Sequence, residues 1–248
     1  MNALSSITWI LPAHNEAQTL PRIIARLDQE CQRRASEIPL ARAIIVENGS
    51  SDSTWDTART LEKQSRKGFQ VLAVQSPDKG IGHAYALGIK HAVEIDTSEG
   101  HWVLASAADL PFGMSDVDQF LQVLKSQPSV SVLIGSKRHP QSQVVRTFKR
   151  TVMTMFFYLL RRILLGSHVR DSQGTFCLPA SLADFILDQT RSRDFFFSTE
   201  FIYRAERRHL PVIEVPIVLE PEMRGTTVHA LRDGLRMLLQ ILKLRFQG

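Results

Sequence analysis

The segment ITWILPAHNE, residues 7–16, joins a run of bulky and β-branched residues to a polar tetrapeptide. The run at residues 7–11 is typical of a buried strand, and Pro12 ends the pattern. In the first part of the chain, a segment with helical spacing follows each run of this kind. Strands that alternate with helices in this way predict an α/β fold, with a mostly parallel central sheet and helices on both faces. The other runs lie at residues 43–46, 71–74, 102–105, 130–134 and 213–219.

Polar residues follow three of the predicted strands. Ligands of parallel sheets bind beyond the carboxyl ends of the strands. We therefore expect a binding site where residues 12–16, 47–52 and 107–111 meet. Asn15 and Asp52 each stand where a side chain can cap the first turn of a following helix.

Length and composition bound the number of domains and the class of partner. A chain of 248 residues with 44% hydrophobic composition can bury one sizeable core, so we predict one domain. Its 30 basic and 25 acidic residues favour anionic partners such as nucleotides, phospholipids or nucleic acid. Because the sequence has no aromatic-and-basic recognition motif, we expect no nucleic-acid partner.

Three features predict a cytoplasmic protein. Two cysteines, Cys31 and Cys177, are too few for a disulfide framework. The N-terminal segment lacks the pattern of a secretion signal. The longest apolar stretch, residues 152–165, is interrupted by Arg161 and Arg162 and is shorter than the roughly 20 residues that span a bilayer. We therefore expect no transmembrane helix.

Several short motifs occur in a fixed order along almost the whole chain. Together they resemble the signature of family 2 glycosyltransferases, particularly the dolichyl-phosphate glucosyltransferases and dolichyl-phosphate mannose synthases. Any one motif is weak, because short Gly, Ser and Asp clusters usually mark only turns. The motifs are LPAHNE at 11–16, VENGSSDST at 46–54, KGIG at 79–82 with Gly88, AADL at 107–110, GSKR at 135–138, VRDSQ at 169–173, TE at 199–200, EVPI at 214–217 and RGTTV at 224–228.

The resemblance implies a Rossmann-like type A glycosyltransferase fold in a single domain, residues 1–248. Residues 1–111 would bind the nucleotide sugar, residues 112–228 the acceptor, and residues 229–248 would form an amphipathic helix. The implied reaction moves a sugar from a UDP- or GDP-linked donor to a polyprenyl or dolichyl phosphate, with inversion. Two alternatives stay open: a hydroxyl acceptor, and a nucleotide-sugar-binding protein without turnover.

Donor contacts implied by the resemblance include three departures from the family pattern. The family usually has Tyr where His14 stands, although an imidazole can still stack on a base. Asn48 replaces the aspartate that reads the base, and its amide suits either uracil or guanine. An arginine that contacts the diphosphate in relatives is replaced by Ala86, which leaves Lys79 as the main cation of this stretch. The implied donor set is Pro12, His14, Glu16, Glu47, Asn48, Lys79, Asp109, Arg224 and Thr226.

The largest departure is at residues 107–109, where the family has an Asp-x-Asp motif that coordinates Mg²⁺ or Mn²⁺. Hard divalent ions need oxygen ligands. Here Ala107 replaces the first carboxylate, so only Asp109 remains as a metal ligand. Three interpretations stay open: weak metal binding through Asp109, the diphosphate and water; metal-free catalysis by cations; or donor binding without turnover.

Acceptor chemistry is implied by the second half of the chain. The resemblance assigns acceptor binding to Lys137, Arg138, Arg146, Arg150 and Gln173, and catalysis to Asp109, Asp171, Lys137 and Arg150. A phosphate nucleophile needs no general base, whereas a hydroxyl does, and Asp171 is then the candidate.

A helical segment at residues 144–165 predicts a membrane-facing surface. In a helix, Arg146, Arg150 and Arg161 share one stripe. Such a helix suits a bilayer interface, where it could gather a lipid phosphate, so we expect peripheral attachment to the membrane surface. The alternative is a core helix with solvated arginines. The apolar residues on its opposite side are Val152, Phe156, Leu159 and Ile163.

Overall fold

A computed structural model describes residues 4–127, 129–144, 148–220 and 230–247; the side chains of residues 148–150, 230–235 and 247 lie outside the description. The strands are β1 Ser6–Ala13, β2 Leu40–Glu47, β3 Phe69–Gln75, β4 His101–Ala105, β5 Val132–Gly135, β6 Thr175–Pro179 and β7 Val212–Val215. The helices are α1 Leu20–Arg33, α2 Thr54–Glu62, α3 Ile81–Ile95, α4 Ser115–Ser126, α5 Phe148–Leu165, α6 Ala180–Leu187, α7 Phe197–Arg207 and α8 Ala230–Gln247.

All seven strands form one sheet in the order β3-β2-β1-β4-β6-β5-β7. Strands β1 to β4 pair in parallel, and β5 pairs in parallel with β7. Strand β6 runs antiparallel between β4 and β5. The predicted mostly parallel sheet is confirmed. The sequence pattern does not predict β6, because TFCLP offers only four buried residues before a proline.

Helices cover both faces of the sheet, as the alternating pattern predicts. Along β1, Ile7, Trp9 and Leu11 face the core that α1, α2 and α4 complete. Ile10 faces the opposite core, which contains residues of α3, α6 and α7. This is the two-residue period of a strand that is buried on both sides. At Gly88 of α3, a Cβ would lie 2.3 Å from Ile10 Cγ2, so glycine lets the helix approach the sheet closely.

Helices α5 and α8 pack against each other. Leu165 of α5 and Ile241 and Leu244 of α8 form a small core between the two helices. Phe196 and Tyr203 complete this core. The helices expected at 144–165 and 229–248 correspond to α5 and α8, although residues 145–147 lie outside the described part. Over the described ranges, no helix combines the length and apolar character needed to cross a membrane.

The two predicted helix caps have different outcomes. The cap at Asn15 is wrong, because α1 begins at Leu20, and the Asn15 side chain instead accepts a hydrogen bond from the backbone N–H of Ser51 at 2.8 Å. Asp52 behaves as a cap: its carboxylate accepts the backbone N–H of Thr54, the first residue of α2, at 3.0 Å. Both side chains therefore organise the loops at the carboxyl edge of the sheet.

Candidate functional site

The predicted donor loops meet at the carboxyl edge of the parallel strands. His14 follows β1, and its Nδ1 lies 3.1 Å from the backbone oxygen of Asn48, which follows β2. The backbone N–H of Glu16 donates to Thr54 Oγ1 at 2.8 Å, which joins the β1 loop to the start of α2. Pro12 is the half-buried penultimate residue of β1. The structure thus brings the first two motifs together, with the His14 ring exposed.

Glu47 supports the donor loop from within the protein. One carboxylate oxygen accepts the backbone N–H of Ser50 at 2.5 Å, and the other accepts the Gln75 side-chain amide at 3.0 Å. Burial acts to raise the pKa of Glu47, but the hydrogen bonds from Ser50 and Gln75 outweigh it and hold the pKa below its ordinary value. Because both oxygens already have partners, Glu47 holds the turn that presents Asn48.

Asn48 joins the β2 loop to the glycine-rich start of α3. Its side-chain oxygen accepts the backbone N–H of Gly80 at 2.8 Å. A Cβ at Gly49 would lie 3.4 Å from the aliphatic stem of Lys79, so the lysine passes close over that glycine. The exposed Lys79 ammonium is therefore held at the same edge as Asn48, where a diphosphate would need a cation.

Asp109 lies on a tight turn after β4. The backbone N–H of Leu110 donates to Ala107 O at 3.1 Å, and Leu110 has φ +46°, a conformation that few leucines adopt. Burial, with a smaller contribution from the Asp109 charge, raises the pKa of Tyr85 on α3. Asp109 itself is exposed.

The carboxylates near Asp109 do not form a metal site by themselves. Within the described ranges, no three His, Cys, Asp or Glu side chains are grouped so that they could hold a metal ion. Ala107 contributes no side-chain oxygen. The described residues therefore do not fit a divalent ion held by the protein alone.

The predicted acceptor residues form a second cluster around Asp171. Its carboxylate accepts the backbone N–H groups of Lys137 at 2.9 Å and Gln173 at 3.2 Å. The Lys137 ammonium donates to Gln173 O at 3.2 Å and lies 5.5 Å from the centre of the Phe112 ring, three residues beyond Asp109. Buried Asp171 thus fixes the two loops, and Lys137 connects this cluster to the Asp109 turn.

Arg138 presents a guanidinium with weak partners. It lies over the Tyr158 ring, 5.1 Å from the centre, and one terminal nitrogen is 3.3 Å from the sulfur of Met155. Its Nε is buried without a hydrogen-bond partner among the described residues. Because a guanidinium carries five donors that match phosphate or carboxylate oxygens, Arg138 is suited to an incoming anion.

The predicted arginine stripe on α5 is wrong for Arg161. Arg161 is only 2% exposed, and its guanidinium donates to Val169 O at 2.9 Å, Arg170 O at 3.2 Å and Ser167 Oγ at 3.3 Å. Burial lowers the pKa of Arg161, against the opposing effect of nearby carboxylates. Arg161 therefore holds the loop before Asp171 and does not face a membrane.

Two other basic residues of that stripe cannot be placed in the same way. Arg146 lies outside the described residues, and so does the side chain of Arg150, whose backbone belongs to α5. The opposite, apolar side of α5 is exposed, with exposed fractions of 50% at Val152, 62% at Phe156, 44% at Leu159 and 76% at Ile163.

Two acids that the sequence reasoning did not assign hold the Asp171 loop from behind. Glu206 accepts the backbone N–H groups of His168 and Val169, at 2.7 and 3.1 Å. Glu214 accepts those of Arg170 and Asp171, at 2.9 and 3.0 Å. Glu214 belongs to the EVPI motif, which was a usable signal, whereas nothing in the sequence marks Glu206.

Glu200 of the TE motif lies on α7 and pairs with Arg204. It accepts Arg204 at 3.0 Å and the backbone N–H of Ser192 at 2.8 Å. Burial acts to raise the pKa of Glu200, but these hydrogen bonds lower it overall. Arg224 and Thr226, assigned to the donor, lie outside the described residues.

The geometry of these loops agrees with a comparison against protein families. The model of Glycosyl transferase family 2 matches residues 8–181, well over half of the chain. The chain belongs to this family. The matched part contains the donor loops and the Asp171 cluster, and it ends before α7 and α8.

Three relatives of this family 2 member illustrate its range. The chain is 27% identical to glycosyltransferase AglD of Haloferax volcanii over 97% of its own length and 37% of that protein. It is 28% identical to undecaprenyl-phosphate mannosyltransferase of Micrococcus luteus, over 85% of the chain and 82% of the relative. It is 26% identical to dolichyl-phosphate beta-glucosyltransferase ALG5C of Trichomonas vaginalis, over 85% and 62%. The chain thus spans about a third to four fifths of these relatives.

Solved structures share the type A glycosyltransferase fold. Glucosyl-3-phosphoglycerate synthase from Mycobacterium tuberculosis, in complex with Mn²⁺, UDP and glucosyl-3-phosphoglycerate, superposes with a TM-score of 0.62 at 16% identity, over 98% of this chain and 79% of that one. Mannosyltransferase PcManGT from Pyrobaculum calidifontis, in complex with GDP-Man and Mn²⁺, gives a TM-score of 0.57 at 19% identity, over 98% and 64%. At these identities the comparison shows the fold alone.

Proposed function

We propose that this protein transfers a sugar from a nucleotide diphosphate sugar to a polyprenyl or dolichyl phosphate. The observation that carries the proposal is the Arg138 guanidinium beside Lys137: among the described residues, an aromatic ring and a thioether are its side-chain partners. Two relatives support the same class of acceptor, because one is named for undecaprenyl phosphate and one for dolichyl phosphate. The solved structures contain UDP or GDP-mannose, so both donor classes belong in the test.

The donor would lie across the loops that follow β1, β2 and β3. The exposed His14 ring can stack on a base, and the Asn48 amide can pair with it. Lys79, held at the same edge, would stabilise the negative charge that develops on the leaving diphosphate. Hydrogen bonds already join the loops that carry His14, Asn48 and Lys79, so a donor could bind them without a movement of the sheet.

The acceptor phosphate would bind Lys137 and Arg138. A phosphate oxygen then attacks the anomeric carbon in line, the bond from that carbon to the diphosphate oxygen breaks, and the nucleoside diphosphate leaves with inversion. An ionised phosphate needs no general base. Asp171 is therefore not needed as a base, and both of its carboxylate oxygens already accept backbone N–H groups, from Lys137 and from Gln173.

Metal would have a secondary part in this proposal. Mg²⁺ or Mn²⁺ would bind weakly at Asp109, brought mainly by the oxygens of the diphosphate. The described residues do not form a metal site. In this proposal, cations of the chain such as Lys79 therefore stabilise the charge on the leaving diphosphate.

The acceptor class also requires a place on the membrane, and we propose peripheral attachment to its cytoplasmic surface through α5. The exposed apolar side of α5 lies on the same helix as Tyr158 and Met155, which contact Arg138. Seating this face in the headgroup region would bring a lipid phosphate close to Arg138.

Transfer to undecaprenyl phosphate tests the proposal. The protein is incubated with a panel of UDP- and GDP-linked sugars, and glycosylated lipid phosphate is detected by mass spectrometry. We expect Arg138→Met to lower the rate by at least about tenfold, since it removes a charge-assisted contact. Arg207→Met, a change at an exposed arginine of α7, is the matched control.

Two results would contradict the proposed acceptor. Product found only on a hydroxyl-bearing acceptor would favour that alternative and give Asp171 a new role. Binding of a nucleotide sugar without any product, over the full acceptor panel, would favour a binding protein without turnover.

A further inference from the structure

A cleft of about 490 Å³ opens between the start of α3, the 191–196 loop and α8. Three separate segments of the chain form it. Its walls are Lys79, Gly80 and His83 from the first segment, Arg191 to Asp194 and Phe196 from the second, and Gln240, Lys243 and Leu244 from the third, with Glu200 at the base.

Cationic side chains from all three segments meet in this cleft. Lys79, Arg191 and Lys243 are exposed, and over the ranges that the structure describes none of them makes an ion pair. The amino-terminal end of α3 also points at the cleft and adds positive potential. Positive charges that converge in a concave site focus the field on a bound anion.

The two carboxylates in the cleft wall are already used. Asp194 accepts the Gln240 amide at 2.7 Å and the backbone N–H of Phe196 at 3.0 Å. Glu200 is paired with Arg204, which does not line the cleft. The acids therefore brace the walls, and within the described ranges neither of them pairs with Lys79, Arg191 or Lys243.

From this arrangement we infer that the cleft is an anion site for a phosphate or diphosphate ester, which adjoins the proposed donor site and shares Lys79 with it. The volume accommodates a phosphorylated small molecule or a lipid headgroup, and the shared chemistry is the phosphate group. Lys and Arg are the side chains that bind phosphate oxygens.

The cleft is mechanically joined to the donor loop. The backbone N–H of His83 donates to Arg193 O at 3.2 Å, and a Cβ at Gly82 would lie 2.4 Å from the Arg193 carbonyl carbon. The 191–194 loop therefore rests directly on the glycines that follow Lys79. Since Gly80 is also bound by Asn48, an anion in the cleft would contact the same loop that the donor site uses.

Binding of inorganic pyrophosphate tests the inference without any transfer reaction. Calorimetry on the whole protein should show binding that Lys243→Met and Arg191→Met each weaken by about tenfold. Lys90→Met changes an exposed lysine of α3 outside the cleft and should have no effect. No binding to the unaltered protein, or an equal loss in Lys90→Met, would overturn the site.

Two further titrations separate the possible ligands and the two sites. UDP and GDP affinities should be unchanged in Lys243→Met and in Arg191→Met; an equal loss of nucleotide and pyrophosphate affinity in these variants would show that the cleft is only the phosphate end of the donor pocket. Vesicles of phosphatidylcholine with and without phosphatidic acid separate the sources. Competition of the phosphatidic acid vesicles with pyrophosphate identifies a lipid headgroup, and its absence identifies a soluble ester. Failure of sugar transfer leaves these measurements unaffected.

Discussion

The side-chain oxygen of Asn48 accepts a hydrogen bond from the backbone N–H of Gly80, at 2.8 Å. This bond joins the end of β2 to the start of α3. The residue that the sequence assigns to the donor base is therefore also the residue that holds the Lys79 loop in place. Its amide oxygen serves the loop, and its NH₂ group remains the donor that can meet a base carbonyl.

Substitutions at Asn48 separate these two roles. Asn48→Ala should weaken nucleotide binding by about 1–3 kcal/mol, because the Gly80 N–H and the base both lose a partner. Asn48→Asp keeps an oxygen for Gly80 but exchanges the NH₂ donor for a charged oxygen, as in the family's aspartate, so the affinities for UDP and GDP should change if this side chain meets the base. Calorimetry with UDP and GDP measures both. Unchanged affinity for both nucleotides in a folded Asn48→Ala protein would show that the assignment is wrong, whereas unchanged affinities for both nucleotides in Asn48→Asp would confine Asn48 to the loop.

Arg161 should matter for stability far more than its neighbour. Arg161→Met leaves the buried carbonyl of Val169 and the carbonyl of Arg170 without this donor, so we expect the free energy of unfolding to fall by about 2–4 kcal/mol. Arg162→Met, at an exposed position one residue away, should change it by less than about 0.5 kcal/mol. Urea unfolding followed by circular dichroism compares them, and equal midpoints would contradict the buried role.

These residues show how far sequence reasoning reaches. The donor loops could be predicted because each polar motif directly follows a strand, and parallel strands bring their carboxyl ends to one edge. Arg161 could not, since helical spacing gives the face of a residue but not which loop covers that face. Glu206 was missed for the same reason: it lies on α7 and contacts a loop that precedes it by almost forty residues.

The cleft at α8 could not be predicted for a related reason. Lys79, Arg191 and Lys243 are far apart in sequence, and no motif connects them. Only the packing of α5, α7 and α8 around their shared core brings α8 to the start of α3. The short strand β6 is a further case, because its antiparallel position depends on partners on both sides.

Asp116 predicts a pH dependence of stability. It is buried at the start of α4 and accepts Thr175 Oγ1 at 2.6 Å and its neighbour's backbone N–H at 2.8 Å. Burial raises the pKa of Asp116 to about 6, against the lowering effect of these hydrogen bonds. The folded protein thus holds this proton more tightly than the unfolded chain, so the contribution of Asp116 to stability is fully present below about pH 4 and is lost as the pH rises through 6.

Asp116→Asn isolates this contribution, because the amide imitates the protonated carboxyl. Relative to the unaltered protein, the variant should be more stable at pH 7.5, and the difference should shrink as the pH falls to 5. Urea midpoints at pH 7.5, 6 and 5 measure the difference at each step. A constant difference across this range would mean that Asp116 does not titrate there.

The exposed side of α5 predicts membrane binding. Phe156 and Ile163 are 62% and 76% exposed, and burying each side chain in a bilayer interface is worth roughly 1.5–3 kcal/mol. Replacing both with serine should therefore weaken sedimentation with vesicles of phosphatidylcholine and phosphatidylglycerol by at least about tenfold. Phe185→Ser removes an exposed aromatic of α6 and is the control.

Salt separates the two forces in that experiment. Binding that depends on Lys and Arg near an anionic surface should fall as salt is added, since each contributes about 1 kcal/mol. The apolar part, lost in the double variant, should persist. A protein that does not sediment with these vesicles even at low salt would contradict peripheral attachment.

Metal binding at Asp109 should be weak in the free protein and stronger with nucleotide. Ala107 lies two residues before Asp109 on one turn, and it supplies no oxygen ligand from its side chain. Ala107→Asp adds a carboxylate where the family has one, and a second negative charge near a divalent ion should tighten Mn²⁺ binding by about tenfold or more. Ala107→Asn is the matched control, because an asparagine side chain is nearly the same size as aspartate but carries no charge. Calorimetry with Mn²⁺, with and without UDP or GDP, measures the affinity of the unaltered protein and of both variants. Tight binding by the unaltered protein alone would refute the weakened site, and equal affinities of the Asp and Asn variants would show that residue 107 does not face the ion bound at Asp109.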